Sequence, residues 1–134
     1  KLHRVSAWRV IRGTVYDAGV GGNFRPGEPD GILSVDVALL QKRRARWWFY
    51  DYVRNPATNR YQWRWVKGLS TEAGTFTRFR PRGIEAPVVT GIRWRTPWIQ
   101  GLTRGTLVVR VEARDFNFIV TNYRKYAWVG LNRR

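Results

Sequence analysis

Apolar side chains recur at every second residue in several segments of this chain, and this spacing constrains the fold more than any other feature. Along residues 106–114, apolar residues occupy every odd position, and arginine or glutamate occupies most even positions. Along residues 61–65, aromatic rings alternate with polar side chains. Because successive side chains of a β-strand point to opposite faces, both segments predict strands that bury one face. The face that holds Tyr61, Trp63 and Trp65 is predicted to be mostly buried.

The remaining β-prone segments are short and are separated by residues that favour turns. Residues 33–39 alternate and predict a half-buried strand, and the Asn-Pro-Ala-Thr-Asn run at 55–59 predicts the turn of a hairpin. A second short turn is predicted at 122–125, and the segment 18–31, rich in glycine and proline, is predicted to be a long loop. Further strands are predicted at 47–53, 75–80, 88–95, 116–121 and 126–131, and residues 5–16 are β-rich without clear alternation.

No stretch of the chain has a convincing helical period. Several short strands separated by turn signals predict an all-β fold, an antiparallel barrel or sandwich of about eight strands. The 134 residues suit one domain spanning 1–134, because typical domains contain about 100–150 residues. The hydrophobic fraction of 43% supplies enough apolar material for its core. No run approaches the roughly 18 apolar residues of a membrane span.

The charge of the chain indicates an acidic partner. Lysine and arginine total 25 against 9 aspartates and glutamates, which gives a formal net charge of +16. Solubility alone needs a net charge of only about 2–8. Lysine occurs at four positions, so 21 of the basic residues are arginine, whose planar guanidinium binds phosphate or carboxylate through two hydrogen bonds. The predicted partner is nucleic acid or an acidic protein surface.

The residues that most enzymes and metal sites use are scarce. The chain has no cysteine, so thiolate ligands, disulfides and thiol nucleophiles are excluded. His3 is the only histidine, and no spacing among the carboxylates selects a catalytic pair. We therefore expect a protein that is not an enzyme and that holds neither metal nor cofactor.

Arginine repeatedly neighbours aromatic residues, at 46–48, 61–65, 79–82 and 93–95. One interpretation is a nucleic-acid surface on which arginines hold phosphates and rings stack on bases. The other is an ordinary sheet whose rings fill the core while arginines face solvent. Under the first interpretation, the predicted phosphate contacts are Lys42, Arg43, Arg44, Arg46, Arg64, Arg80, Arg82, Arg93 and Arg95. The predicted aromatic contacts are Trp47, Trp48 and Trp94.

Residues 118–129 read Phe-Ile-Val-Thr-Asn-Tyr-Arg-Lys-Tyr-Ala-Trp-Val. They resemble a lipocalin hairpin, in which an apolar strand leads into Thr-Asp-Tyr, two further residues, Tyr-Ala and a second apolar strand. Asn122 stands where that family has aspartate. Trp8 matches the tryptophan of the family's Gly-x-Trp motif, although Ser6 replaces the glycine. The resemblance implies a closed up-and-down barrel around a pocket for a small lipophilic ligand.

Two functions are therefore expected as alternatives. The first is a non-enzymatic binding or structural subunit that contacts nucleic acid or an acidic partner, within a large assembly such as a virion or ribosome-like particle. Contacts with other subunits of such an assembly would use exposed aromatic side chains. The alternative is a lipocalin-like carrier of a small lipophilic ligand. An open apolar cavity would favour the carrier, and a filled core with outward aromatic patches would favour the subunit.

Overall fold

A computed structural model describes residues 2–14, 32–90, 93–115 and 120–134. In this part of the chain, eight strands pair in antiparallel fashion and one short α-helix interrupts them, which confirms the all-β prediction. The strands are β1 (Arg12–Thr14), β2 (Ile32–Arg43), β3 (Arg46–Asn55), β4 (Arg60–Lys67), β5 (Ile84–Thr90), β6 (Arg93–Arg95), β7 (Gly105–Asp115) and β8 (Val120–Leu131). A 3-10 helix covers Val5–Trp8, and the α-helix α1 covers Glu72–Phe79.

The long strand β2 organises the sheet. β7 pairs along one of its edges from Ile32 to Gln41, and β8 continues the sheet beyond β7. The other edge is divided, because β5 pairs with residues 34–37 and β3 pairs with residues 40–43. β6 and β1 then extend from β5, and β4 extends from β3. The described strands do not close into a barrel, and the arrangement is consistent with a sandwich.

Both faces of β2 are buried, so the prediction of a half-buried strand is wrong. Val35, Val37 and Leu39 face the larger core, where Trp94, Ile99 and Leu102 pack over the sheet. Leu40 faces the other side and packs with Trp47, Phe49 and Val108. Alternation with Ser34 and Asp36 suggested a solvated face, but the layers on each side of the sheet exclude water from most of both.

The predicted strand at 75–80 is wrong, because this segment forms α1. Thr71 caps the helix by accepting a hydrogen bond from the Gly74 amide at 3.1 Å. Thr75 is fully buried, and its hydroxyl donates to the Thr71 carbonyl at 2.8 Å. Phe76 packs against the Leu40 cluster, and Phe79 stacks on Phe49 with ring centroids 4.8 Å apart. Capping and packing on the sheet outweigh the low helix propensity of the segment.

The predicted hairpin turn at 122–125 is also wrong. Arg124 lies opposite Glu112 and Lys125 lies opposite Val111 within β8, and the register with β7 shifts just before Arg124, between Glu112 and Arg114. The segment predicted as one strand at 88–95 contains parts of β5 and β6. The strand predicted at 106–114 and the turn at 55–59 are confirmed by β7 and by the β3–β4 hairpin. The predicted loop at 18–31 lies outside the described residues, as do residues 116–119.

The end of α1 offers a test of backbone strain. Arg80 adopts the left-handed conformation there, with φ 44° and ψ 62°. Glycine has no Cβ to clash in that region, so Arg80→Gly should raise the free energy of unfolding by about 1 kcal/mol in urea titrations. Arg78→Gly removes the same charge from a helical position and should lower it by about 1 kcal/mol. Shifts of equal sign in the two variants would contradict this account.

No helix in the described part of the chain is long and apolar enough to cross a membrane.

Candidate functional site

The turn between β2 and β3 gathers basic side chains at one end of the sheet. β2 ends at Arg43 and β3 begins at Arg46, so that these two arginines lie directly opposite each other. The two-residue turn between them contains Arg44, whose φ of 58° is left-handed. Lys42, Arg44 and Arg46 are exposed. Like charges packed this closely repel one another, so an anion bound here would relieve the repulsion.

Two further cations that the sequence did not single out lie near this turn. Lys67 is opposite Trp48 in the β3–β4 register. Arg104 directly precedes Gly105, which packs so closely on Lys42 that a Cβ would overlap the Lys42 carbonyl oxygen. We call the five exposed side chains the cationic end; its members are Lys42, Arg44, Arg46, Lys67 and Arg104.

No ion pair within the described residues neutralises the cationic end. The three segments that build it, residues 37–50, 60–71 and 93–111, contain no aspartate or glutamate. A search of the sequence for basic residues in segments without aspartate or glutamate would have identified Lys67 and Arg104. Arg46 Nη1 donates to the Gly68 carbonyl at 3.2 Å, but no described carboxylate pairs with any of the five cations, so the surface offers cationic donors to an anionic ligand.

Arg43 has a different role from its neighbours. Its guanidinium lies 4.8 Å from the ring centroid of Trp65 and 5.6 Å from that of Trp48. Nη2 donates to the Gly101 carbonyl at 2.7 Å and to Gln41 Oε1 at 3.2 Å. Burial lowers the pKa of Arg43 from its ordinary value, although an arginine keeps its charge in proteins. The predicted phosphate contact at Arg43 is thus half-buried and joins the turn to the aromatic face of β3 and β4.

A buried glutamine holds the segment that carries Arg104. Gln41 has no exposed surface, and its Oε1 accepts from the Thr103 amide at 3.1 Å and from the Thr103 hydroxyl at 3.3 Å. Its Nε2 donates to the Thr103 carbonyl. Paired in this way, the amide is satisfied despite its burial. The network fixes Arg104 beside Lys42.

A cavity of about 330 Å³ continues the basic surface from Arg104. Its lining includes three arginines, the Thr103 side chain and two aliphatic residues: Val5, Arg9, Leu102, Thr103, Arg104 and Arg134. Arg9 also lies 5.3 Å from the ring centroid of Trp98. The lining carries no carboxylate side chain, so its chemistry suits an anionic group.

The other predicted phosphate contacts lie elsewhere. Arg93 and Arg95 are exposed on β6, which reaches β2 only through β5, at the half of β2 that is remote from its turn. Arg80 and Arg82 are exposed in the connection from α1 to β5. Arg64 is half-buried on β4, opposite Asp51. Of the predicted cations, only Lys42, Arg44 and Arg46 join the cationic end as exposed members.

Two of the three predicted aromatic contacts lie in the core. Trp47 is 8% exposed within the Leu40 cluster, and Trp94 is 6% exposed within the larger core. Neither ring has a free face for a ligand, which argues against the predicted aromatic contacts at these two positions. Trp48 is half-buried beneath Arg43.

Exposed rings occur instead farther along the β3–β4 hairpin. The face predicted to be buried is only partly so, because Trp63 and Trp65 are half-buried while Tyr61 is 63% exposed. Tyr50 and Tyr52 of β3 lie opposite Trp65 and Trp63 of β4. The predicted turn at 55–59 implies that β3 pairs with β4, and applying that pairing to the sequence would have placed these rings on one face.

No group of three or more histidine, aspartate and glutamate side chains in the described ranges is placed to hold a metal ion. Comparison with protein-family models, with curated proteins and with solved structures gives no match for this chain.

Proposed function

We propose that this domain is a non-enzymatic, cationic binding subunit whose cationic end contacts the phosphates of nucleic acid. The observation that carries the proposal is the cluster of five exposed cations that has no ion pair in the described chain. Three of the five are arginines, which bind phosphate through two parallel hydrogen bonds. The adjoining cavity with Arg9 and Arg134 extends the surface over which a phosphate backbone makes contact.

The proposal predicts a strong dependence of binding on salt. Each phosphate that the protein neutralises releases counterions, so the logarithm of the affinity falls with the logarithm of the salt concentration by about 0.9 per phosphate for duplex DNA. Changing Lys42, Arg44 and Arg46 together to glutamine should flatten that slope by up to about 2.7, since three contacts are lost. Fluorescence anisotropy with labelled oligonucleotides between about 50 and 200 mM salt measures the slope.

A matched variant separates a local site from a diffuse positive field. Changing Arg12, Arg93 and Arg95 together to glutamine removes the same charge from the exposed β1–β6 pair. The slope should then stay close to that of the unaltered protein. Equal flattening in both triple variants would contradict the assignment to the cationic end. Absence of binding to both single-stranded and duplex nucleic acid at low salt would overturn the proposal and favour an acidic protein partner.

Exposed aromatic residues support a place within a larger assembly. On the face that carries α1, Trp128 is 58% exposed and stacks with Tyr126 at 5.7 Å. Trp128 Nε1 donates to Glu72 Oε1 at 2.7 Å, which holds the ring against the helix. Phe79 is also exposed on α1. Aromatic residues are enriched at protein–protein interfaces, so this face suits contact with another subunit.

The lipocalin-like carrier finds less support. A carrier of that type needs a closed barrel around an open apolar cavity. The described strands stay open, the space over β2 is filled by residues such as Ile99 and Leu102, and the cavity beside Arg104 is lined by arginines. The resemblance also relied on a turn at 122–125, which lies within β8.

A further inference from the structure

Five rings form a continuous row along one face of the β3–β4 hairpin. We call this row the aromatic strip; its members are Trp65, Tyr50, Trp63, Tyr52 and Tyr61. Ring centroids are 5.0 Å apart from Trp65 to Tyr50 and 5.4 Å apart from Tyr50 to Trp63. They are 5.7 Å apart from Trp63 to Tyr52 and 5.9 Å apart from Tyr52 to Tyr61. Contacts at these distances orient each ring on the next, so the surface is preformed.

The strip becomes exposed toward the tip of the hairpin. Tyr50 is buried against the larger core, Trp63 is half-buried, and Tyr52 and Tyr61 are 43% and 63% exposed. β2 pairs with β3 only as far as Phe49, so from Tyr50 onward β3 pairs with β4 alone among the described strands. The outer rings therefore lie on an arm that leads away from β2.

Cations flank the exposed rings at both ends. Arg54 is exposed beside the turn at the tip, on the face of the strip and directly opposite Tyr61. At the other end, Arg43 lies over Trp65, and Lys67 of the cationic end follows two residues later. The only carboxylate of the hairpin, Asp51, occupies a position on the opposite face. On its own face, the strip thus combines flat apolar rings with flanking charged side chains that are all positive.

We propose that the aromatic strip is a stacking platform for the unpaired bases of single-stranded nucleic acid. Tyr52 and Tyr61 stack on bases, while Arg54 and the cationic end contact the phosphates on either side. In a duplex, the base faces are covered by neighbouring base pairs, so such a platform selects single strands. Sheet platforms elsewhere stack two or three bases in this way. The inference rests on the proposed function and names its ligand class.

The flanking charge decides between this ligand and a protein partner. An exposed row of tyrosines also suits a protein interface. A protein surface complementary to the strip would need carboxylates at both ends and an apolar centre between them. A single strand meets the same demands with one repeating unit, because every nucleotide offers a phosphate and a flat base. The structure therefore favours nucleic acid, and binding by a protein alone is an outcome that would overturn the proposal.

Probes that differ only in their bases test the platform. Anisotropy is measured with a labelled single-stranded oligothymidylate, an abasic oligonucleotide of the same length and a duplex of the same length. The unaltered protein should bind the single strand more tightly than the abasic strand at equal salt. Tyr52→Leu and Tyr61→Leu should each weaken binding to the single strand by about 5-fold to 100-fold. Binding to the abasic strand should stay unchanged, because the phosphate contacts are intact.

The chain supplies matched controls. Tyr126→Leu removes a ring that is 40% exposed, nearly the exposure of Tyr52. Tyr126 lies on the face that carries α1, so this substitution should leave single-strand binding unchanged. Tyr61→Phe keeps the ring and should retain binding. Thermal unfolding of every variant checks the fold. Quenching of the protein's tryptophan fluorescence by the single strand, and not by the abasic strand, gives a second readout that needs no substitution.

Failure of the platform and failure of the proposed function give different results. If the abasic strand, the single strand and the duplex bind equally and the tyrosine variants change nothing, the cationic end binds phosphates but the platform is overturned. If no probe binds at low salt, the proposed function fails as well. If the tyrosine variants abolish assembly with a protein while nucleic-acid binding is unaffected, the strip is a protein interface.

Discussion

Replacing Gly105 with alanine is expected to lower the free energy of unfolding by about 3–5 kcal/mol. Gly105 begins β7 and has φ 137°, a backbone region in which side chains are strained. The added Cβ would overlap the carbonyl oxygen of Lys42, which belongs to the backbone of β2 and has no rotamer by which to move away. The start of β7 must therefore separate from β2, and pairing between the two strands is lost locally.

The same substitution should also impair the cationic end, because Arg104 precedes Gly105 and Lys42 contacts it. Urea unfolding and the salt slope of nucleic-acid binding check the two effects. Gly130→Ala is the matched control: Gly130 lies in β8, and no atom lies within 4 Å of a Cβ built there. We expect that variant to change the stability by less than about 0.5 kcal/mol. A Gly105→Ala protein of unaltered stability would contradict the close contact between β7 and β2.

Replacing Leu39 with alanine is expected to lower the free energy of unfolding by about 2.7–5 kcal/mol. Leu39 has no exposed surface and lies at the centre of β2, directly opposite Val109 of β7. Its loss removes apolar burial and leaves a cavity between layers that other side chains cannot easily fill. Because β7 pairs with β2 at Leu39 and because β5 and β3 pair with the other edge on either side of it, the surrounding backbone has little freedom to collapse into the space.

Leu69→Ala provides the comparison, since Leu69 is 36% exposed beside α1. This substitution should lower the free energy of unfolding by less than half as much as Leu39→Ala. Urea unfolding at equilibrium measures the stability of both variants. An unchanged slope of the unfolding free energy against urea concentration checks that the folded state keeps its compactness. Equal costs at the two positions would mean that β2 is not the centre of the structure.

Local sequence predicted those elements in which the pattern and the tertiary environment agree. Alternation along residues 106–114 predicted β7, because Leu107, Val109 and Ala113 do face the core. The turn residues at 55–59 predicted the β3–β4 hairpin, because Asn59 tolerates the left-handed φ of 58° that the turn needs. In both cases, interactions between near neighbours decide the conformation.

Prediction failed where distant contacts override local preference. The threonines and phenylalanines of 75–80 favour strands, yet the cap at Thr71 and the packing of Phe76 against the Leu40 cluster make the segment helical. The residues around Asn122 resemble a turn, yet β8 runs through them, with pairs to β7 on either side at Val120 and Arg124. The backbone hydrogen bonds supplied by a neighbouring strand come from a remote part of the chain, so no local pattern reveals them.

The candidate site divides in the same way. Composition by itself determined that the chain is cationic and rich in arginine. Burying unpaired charge is costly, so four basic residues within residues 42–46 favour a loop or an exposed edge. Only the tertiary structure decided that Arg43 lies over Trp65, and that Lys67 and Arg104 join the turn from other strands. Burial of Trp47 and Trp94 and exposure of Tyr52 and Tyr61 were likewise decided there. An aromatic residue at an alternating position fits a core or a surface equally well, and the layers that cover it make the choice.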